Sequence, residues 1–153
     1  MNDSQRGFTL PELLATGSVL VILVVVAALL LTPRSDPAVV RDAQRRTDLA
    51  MLVQGINAYR SEHGALPPSI TTEEQFIGSG EGESDLCADL VPTYLDDLPF
   101  DPVAGAADSI ESCATGEVDY ITVYAIKRTG DHTVTVAAPL TETQGEIELT
   151  RKY

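Results

Sequence analysis

Arg6-Gly7-Phe8-Thr9-Leu10-Pro11-Glu12-Leu13-Leu14 leads into an apolar run that ends at Leu31, and this stretch decides the fold. From Leu13 to Leu31 there are 19 residues without a charge, 16 of them apolar. As a helix this run extends about 28 Å at 1.5 Å per residue, close to the roughly 30 Å hydrocarbon thickness of a bilayer. A cleaved secretory signal has a shorter apolar region of about 7–15 residues and ends in small residues. Leu31-Thr32-Pro33-Arg34 is a poor site of that kind. A core helix of a soluble protein would need a polar face for water, and none is present. The run therefore reads as a membrane-length helix. The 153-residue chain has 44% hydrophobic residues, a figure that averages this helix with a more polar remainder.

That remainder is acidic. The chain carries a net charge of −13, with 10 Lys+Arg against 23 Asp+Glu. Such a balance argues against direct nucleic-acid binding, which requires a basic surface. Two Cys and two His leave little for a Cys/His zinc site. The length allows one domain beside the apolar helix. Arg6 is the only base before the helix, whereas Arg34, Arg41, Arg45 and Arg46 follow it. Taken alone, the positive-inside rule would retain the C-terminal part in the cytoplasm. A long domain can translocate largely regardless of charge, and a lone pair of cysteines suits an oxidising compartment, so we expect export.

Glu12 is the unusual residue, a carboxylate at the mouth of an apolar helix. Its plainest role is that of an interfacial acid complementing the helix dipole. Its functional role would be that of a charge awaiting a partner. The pattern Arg6-Gly7-Phe8-Thr9-Leu10-x-Glu12-Leu13-Leu14, followed by a long apolar helix, is similar to the prepilin signature of type IV pilins and type II secretion pseudopilins. The resemblance implies cleavage between Gly7 and Phe8 by a prepilin peptidase on the cytoplasmic side, with N-methylation of the new Phe8 amine. It implies that the helix is kept, first as a membrane anchor and then as the core of a filament. Glu12 would then be the assembly carboxylate that neutralises the Phe8 amine of a neighbouring subunit. Phe8 and Glu12 are four residues apart and share one helix face. In a low-dielectric core an ammonium and a carboxylate each need the other. Pro11 departs from the aliphatic residue of many family members, but proline is tolerated in a first helical turn.

Further along, Thr32-Pro33-Arg34-Ser35-Asp36-Pro37 interrupts the helical pattern and predicts a kink or a melted stretch. From Ala38 the apolar positions Val39, Val40, Ala43, Leu49, Leu52, Val53, Ile56 and Tyr59 predict an amphipathic helix. Arg41, Asp42, Gln44, Arg45, Arg46, Asp48 and Arg60 are expected on its solvent face. Asp36 or Ser35 can cap the start, and Gly64 with Pro67-Pro68 ends it. The stretches Arg41–Leu49 and Tyr59–Pro67 resemble the corresponding helix of bacterial pilins and major pseudopilins. Between Glu62 and Asp119 there are fourteen acids and no Lys or Arg. Gly78 to Ser84 reads as a flexible loop, with a short helix expected around Leu86, Leu90 and Val91. Leu98-Pro99-Phe100-Asp101-Pro102 resembles the turn before the sheet in many pilins, and Asp101 can close an Asx turn there. Tyr120–Ile126, His132–Ala138 and Gly145–Thr150 read as strands, with a turn at Arg128–Asp131. Val134, Val136, Ile147 and Leu149 are expected inward.

The expected architecture is α+β: a long N-terminal hydrophobic helix continuing into an amphipathic helix packed on a small antiparallel sheet. Its parts are a leader (1–7), a transmembrane and filament-core helix (8–32) and an extracellular head (33–153). The head divides into the helix (38–63), an acidic loop region (64–119) and the sheet (120–151). In an exported head Cys87 and Cys113 are expected to form one disulfide, closing a loop worth about 3.5 kcal/mol in the chain-entropy model; two buried free thiols are the alternative. Some major pseudopilins bind calcium, which makes Asp101, Asp108 and Glu111 weak candidates, but no EF-hand spacing exists and a solvated acidic face is the stronger expectation. No other cofactor is implied. His63 and His132 stand alone, there is no nucleophile elbow, and the Gly-rich loop lacks the lysine of a phosphate loop, so no catalysis is expected. The expected function is that of a structural subunit of a type IV pilus-like filament. Its partners would be other pilin subunits, the prepilin peptidase and the assembly platform, and its place the cytoplasmic membrane and then the cell surface. The alternatives are a pseudopilin of a type II secretion system and a single-pass anchored binding protein that does not polymerise.

Overall fold

The computed structural model describes residues 9–31, 36–104, 120–143 and 145–153. It divides into two compact units, Met1–Ser35 and Asp36–Tyr153. The first unit contains α1, Leu10–Leu31. Nothing in its sequence after Glu12 opposes helix formation in lipid: the chain is almost wholly aliphatic, and its hydroxyls turn inward. Thr16 Oγ1 donates to the Glu12 carbonyl at 3.0 Å and Ser18 Oγ to the Ala15 carbonyl at 2.8 Å. Back-bonding of this kind spares an apolar solvent two unpaired donors. The 19 residues Leu10–Ala28 are apolar enough to cross a membrane. The predicted break at 32–37 falls almost wholly outside the described residues.

The second unit is α+β. Its long helix, α2 (Pro37–His63), starts and ends as its sequence predicts. Asp36 accepts from the Ala38 N–H at 3.0 Å, Pro37 stands in the first turn, and Gly64 takes the left-handed cap at φ 73°. The Gly64 N–H closes on the Arg60 carbonyl at 2.7 Å. After it come β1 (Gln75–Gly78), the one-turn helix α3 (Cys87–Leu90), β2 (Ile121–Gly130), β3 (Thr133–Ala138) and β4 (Ile147–Lys152). The strands form an antiparallel meander in the order β1-β2-β3-β4. Leu49, Leu52 and Ile56 of α2 close the core with Ile77, Leu86, Leu90, Tyr124, Ile126, Val134 and Val136.

Four expectations need correction. Asp42, Arg45 and Asp48, expected in solvent, are buried, whereas Val39 and Val40 are 51% and 52% exposed. The apolar valines lie out of phase with Leu49, Leu52 and Ile56. Positions 42 and 45 continue that stripe backward at spacings of three and four. Second, β1 arises inside the acidic loop region, where no strand was expected. Third, β2 runs through Gly130, so the hairpin turn is Asp131-His132 rather than Arg128–Asp131. Fourth, Leu149 is 36% exposed. Its pairing with Val136 puts it on the core side, but β4 is an edge strand and α2 covers it incompletely.

β2 also carries a bulge. Phe76 pairs with Ala125 and Gly78 with Ile121, so Ile77 alone faces Thr122, Val123 and Tyr124. Val123 sits in the left-handed region at φ 65°, an outlier for a β-branched residue. Thr122 Oγ1 holds the bulge by donating to the Ile77 carbonyl at 3.0 Å. Bulges of this kind redirect side chains. Here the Tyr124 hydroxyl donates to Asp48 Oδ2 at 2.7 Å, joining sheet to helix.

Candidate functional site

The site residues anticipated from sequence fall in two places. Glu12 lies in the first turn of α1, where its N–H donates to the Thr9 carbonyl at 3.0 Å. The Thr9 hydroxyl donates to a Glu12 carboxylate oxygen at 3.4 Å. Among the described residues Glu12 is the one charged group of α1. Gly7 and Phe8 lie outside the described residues.

In the head, Asp101 occupies a buried ion cluster that sequence reasoning missed. The Arg45 guanidinium is fully buried and makes a two-pronged contact with Asp101: Nε to Oδ2 at 2.7 Å and Nη2 to Oδ1 at 3.1 Å. Asp101 Oδ1 also accepts from the Val103 and Ala104 N–H groups at 2.9 and 3.1 Å, which is the expected Asx turn. Arg45 Nη1 donates to Asp42 Oδ1 at 2.7 Å and to Glu142 Oε1 at 3.1 Å. Asp42 in turn accepts from the N–H groups of Glu142 and Thr143 at 3.1 and 2.8 Å and from the Thr143 hydroxyl. Arg41 closes the group with a fork onto Glu142. Two guanidiniums thus bind three carboxylates from three chain segments.

The electrostatics follow from these contacts. Asp42 is held far below the usual carboxylate range by the Thr143 hydroxyl, with help from the Thr143 and Glu142 N–H groups and Arg45, against the pull of burial. Glu142 is lowered to about 2 by its bond to Arg41, then by Arg45. Burial works to raise Asp101, but Arg45 and the two N–H groups outweigh it and the net shift is downward. Arg45 is raised by Asp101 first. Asp48 behaves oppositely: burial raises it, and the Tyr124 bond only partly offsets this. Charged carboxylates are therefore the stable form in the Arg45 cluster, and both oxygens of Asp101 are taken. This is different work from the calcium ligation considered for it. Asp108 and Glu111 lie outside the described residues, and among those described no group of three or more His, Cys, Asp or Glu side chains could hold a metal.

Cys87 is disulfide-bonded; Cys113, its expected partner, lies outside the described residues. The Cys87 N–H is shared between Asp85 Oδ1 at 3.0 Å and the Tyr120 hydroxyl at 3.2 Å. That hydroxyl donates to Asp85 at 2.8 Å, so the start of α3 is fastened to the beginning of β2. His63 stacks on Tyr59 at 4.1 Å between ring centroids, with Tyr94 edge-on. The Tyr94 hydroxyl bonds Glu62 at 2.7 Å, which with burial raises its pKa to about 12. His63 is thereby part of a packed aromatic group. The missed cluster had a signal: Asp42, Arg45, Leu49, Leu52 and Ile56 share one helical phase, so two charges stood on the buried stripe of α2. The chain matches no protein-family model, no curated protein and no solved structure.

Proposed function

We propose that this chain is the structural subunit of a type IV pilus-like filament, made as a prepilin, processed between Gly7 and Phe8, and polymerised through α1. The observation that carries the reading is Glu12. It is a lone acid in the first turn of a helix whose described side chains are otherwise uncharged, exposed and almost all apolar. An apolar helix of 22 residues spans about 33 Å and must be covered by lipid or by like helices. The acid then becomes the group that fixes how like helices align, because an unpaired charge in such surroundings is costly. The α+β head with its long helix on an antiparallel sheet suits the same reading. Before assembly the chain would lie in the cytoplasmic membrane with the head outside; after assembly it would lie in a filament at the surface or, as a secretion pseudopilin, in a short periplasmic one.

Two measurements test this. Glu12→Ala is expected to reduce filament yield at least tenfold while the chain still reaches the membrane. Peptide mass mapping of the mature N-terminus is expected to find methylated Phe8. An intact Met1 and no filaments from the wild-type chain would show a monomeric anchored protein instead.

A further inference from the structure

The head also holds a recess of about 400 Å³ lined by cationic side chains. It opens between the C-terminal end of α2, the Gly64–Thr72 segment and the β2–β3 hairpin, and Arg60, Arg128 and His132 line it over a floor that includes Leu66 and Ile70. Arg128 pairs with Val134 and Val134 with Arg151, so the two arginines stand on the same face of the sheet two strands apart. Arg60 lies over the Tyr153 ring at 5.5 Å. Burial raises the Tyr153 hydroxyl's pKa, and Arg151 and Arg60 both pull it back, which places both cations near that ring. Asp131 is the one acid in the lining.

These cations are unspent. Arg41 and Arg45 are committed to the buried cluster and Lys127 to Glu74. Among the described residues Arg60, Arg128 and Arg151 form no ion pair. Three guanidiniums at one end of a chain with a net charge of −13 make a concentrated positive patch on an otherwise repulsive molecule. The complementary patch belongs to the same chain. Asp96 and Asp97 are exposed in the turn after Tyr94 and border a second groove, of about 520 Å³, with Asp48 and Met51 on its α2 side. Leu95 presses on Gly55 and anchors that turn to α2. Met51 and Asp48 precede Arg60 by nine and twelve residues, so the patches lie roughly 14–18 Å apart along α2, too far to pair within one copy.

We infer that the Arg60–Arg128 recess receives the Asp96–Asp97 turn of a second copy. Such a contact joins two different surfaces. Each copy keeps one free patch of each sign, so the interaction propagates instead of stopping at a dimer. Anchoring in one membrane raises the effective concentration of the acidic turn at the recess, and opposite charge would offset the repulsion between copies. The inference rests on the filament reading and supplies the contact between heads that α1 alone does not.

The test uses full-length chains in one membrane. Two differently tagged populations carry Asp97→Cys and Arg128→Cys and are oxidised mildly. Mixed-tag disulfide dimers are expected at least tenfold above like-with-like dimers; equal yields, or none, overturn the inference. In a parallel set, Arg128→Glu and Asp97→Arg each lower filament yield at least tenfold, and the double variant Arg128→Glu/Asp97→Arg restores it to within about threefold. An unchanged near-ultraviolet tyrosine spectrum shows that each variant is folded. Filaments lost with Glu12→Ala but indifferent to both reversals would overturn this contact and leave the filament reading standing. Mixed-tag dimers in a wild-type chain that keeps Met1 and forms no filaments would support the contact and overturn the filament reading.

Discussion

Arg45 shows how much one side chain can hold. Its guanidinium joins α2 to the turn at Asp101 and to the segment at Glu142, with no exposure to solvent. Arg45→Met keeps the volume but leaves Asp42 and Asp101 buried without their cation. Removing one partner of a buried pair costs about 3–5 kcal/mol. We expect a loss of that size, read from denaturant unfolding followed by the tyrosine signal. Residue-level roles were only partly legible in the sequence. Asp36, Gly64 and Asp101 announced their capping and turn chemistry because those interactions are local. The Arg45–Asp101 pair spans 56 positions, and residue type alone assigned both charges to the surface. Helical phase, read from Leu49 back through Arg45 to Asp42, carried the correct information.

At the scale of elements, α2 was legible in its ends and its C-terminal half, β2 in its β-forming residues, and β3 and β4 in their alternation. β1 was not, because four residues flanked by acids and glycines give no periodicity to read. Its pairing is decided by the bulge opposite Ile77, a tertiary feature. The turn at Tyr94–Phe100 depends on a close approach that only glycine permits. A Cβ at Gly55 would stand 2.8 Å from Leu95 Cγ. Gly55→Val should therefore push the turn off α2 and lower stability by about 1–3 kcal/mol, the usual cost of overpacking, as measured by denaturant midpoint. An unchanged midpoint would mean that Leu95 can move away at no cost.

For the whole molecule, the depressed carboxylates dictate the response to acid. Asp42, Asp101 and Glu142 have lower pKa values folded than free. Their contribution is therefore complete above the ordinary values of 3.8 and 4.5 and is lost as pH falls toward the Glu142 value of about 2. Asp48 has the opposite sign: raised in the fold, it favours the native state in acid and opposes it as pH rises above 3.8. Thermal melts of the full chain in detergent should show stability falling between about pH 4.5 and 2. Asp48→Asn should gain stability relative to wild type as the pH rises past the ordinary aspartate range. A flat profile in both would mean that the cluster contributes nothing across that range.

The inward-bonded hydroxyls of Thr16 and Ser18 have one more consequence. With those two donors folded onto carbonyls, α1 offers neighbouring helices hydrocarbon at nearly every azimuth. It behaves as a smooth rod that stores almost no rotational information. Copies gathered around such rods could turn and slide against one another at little cost, and the single polar notch at Glu12 would set depth rather than heading. In the proposed filament, heading would then come from contacts between the heads.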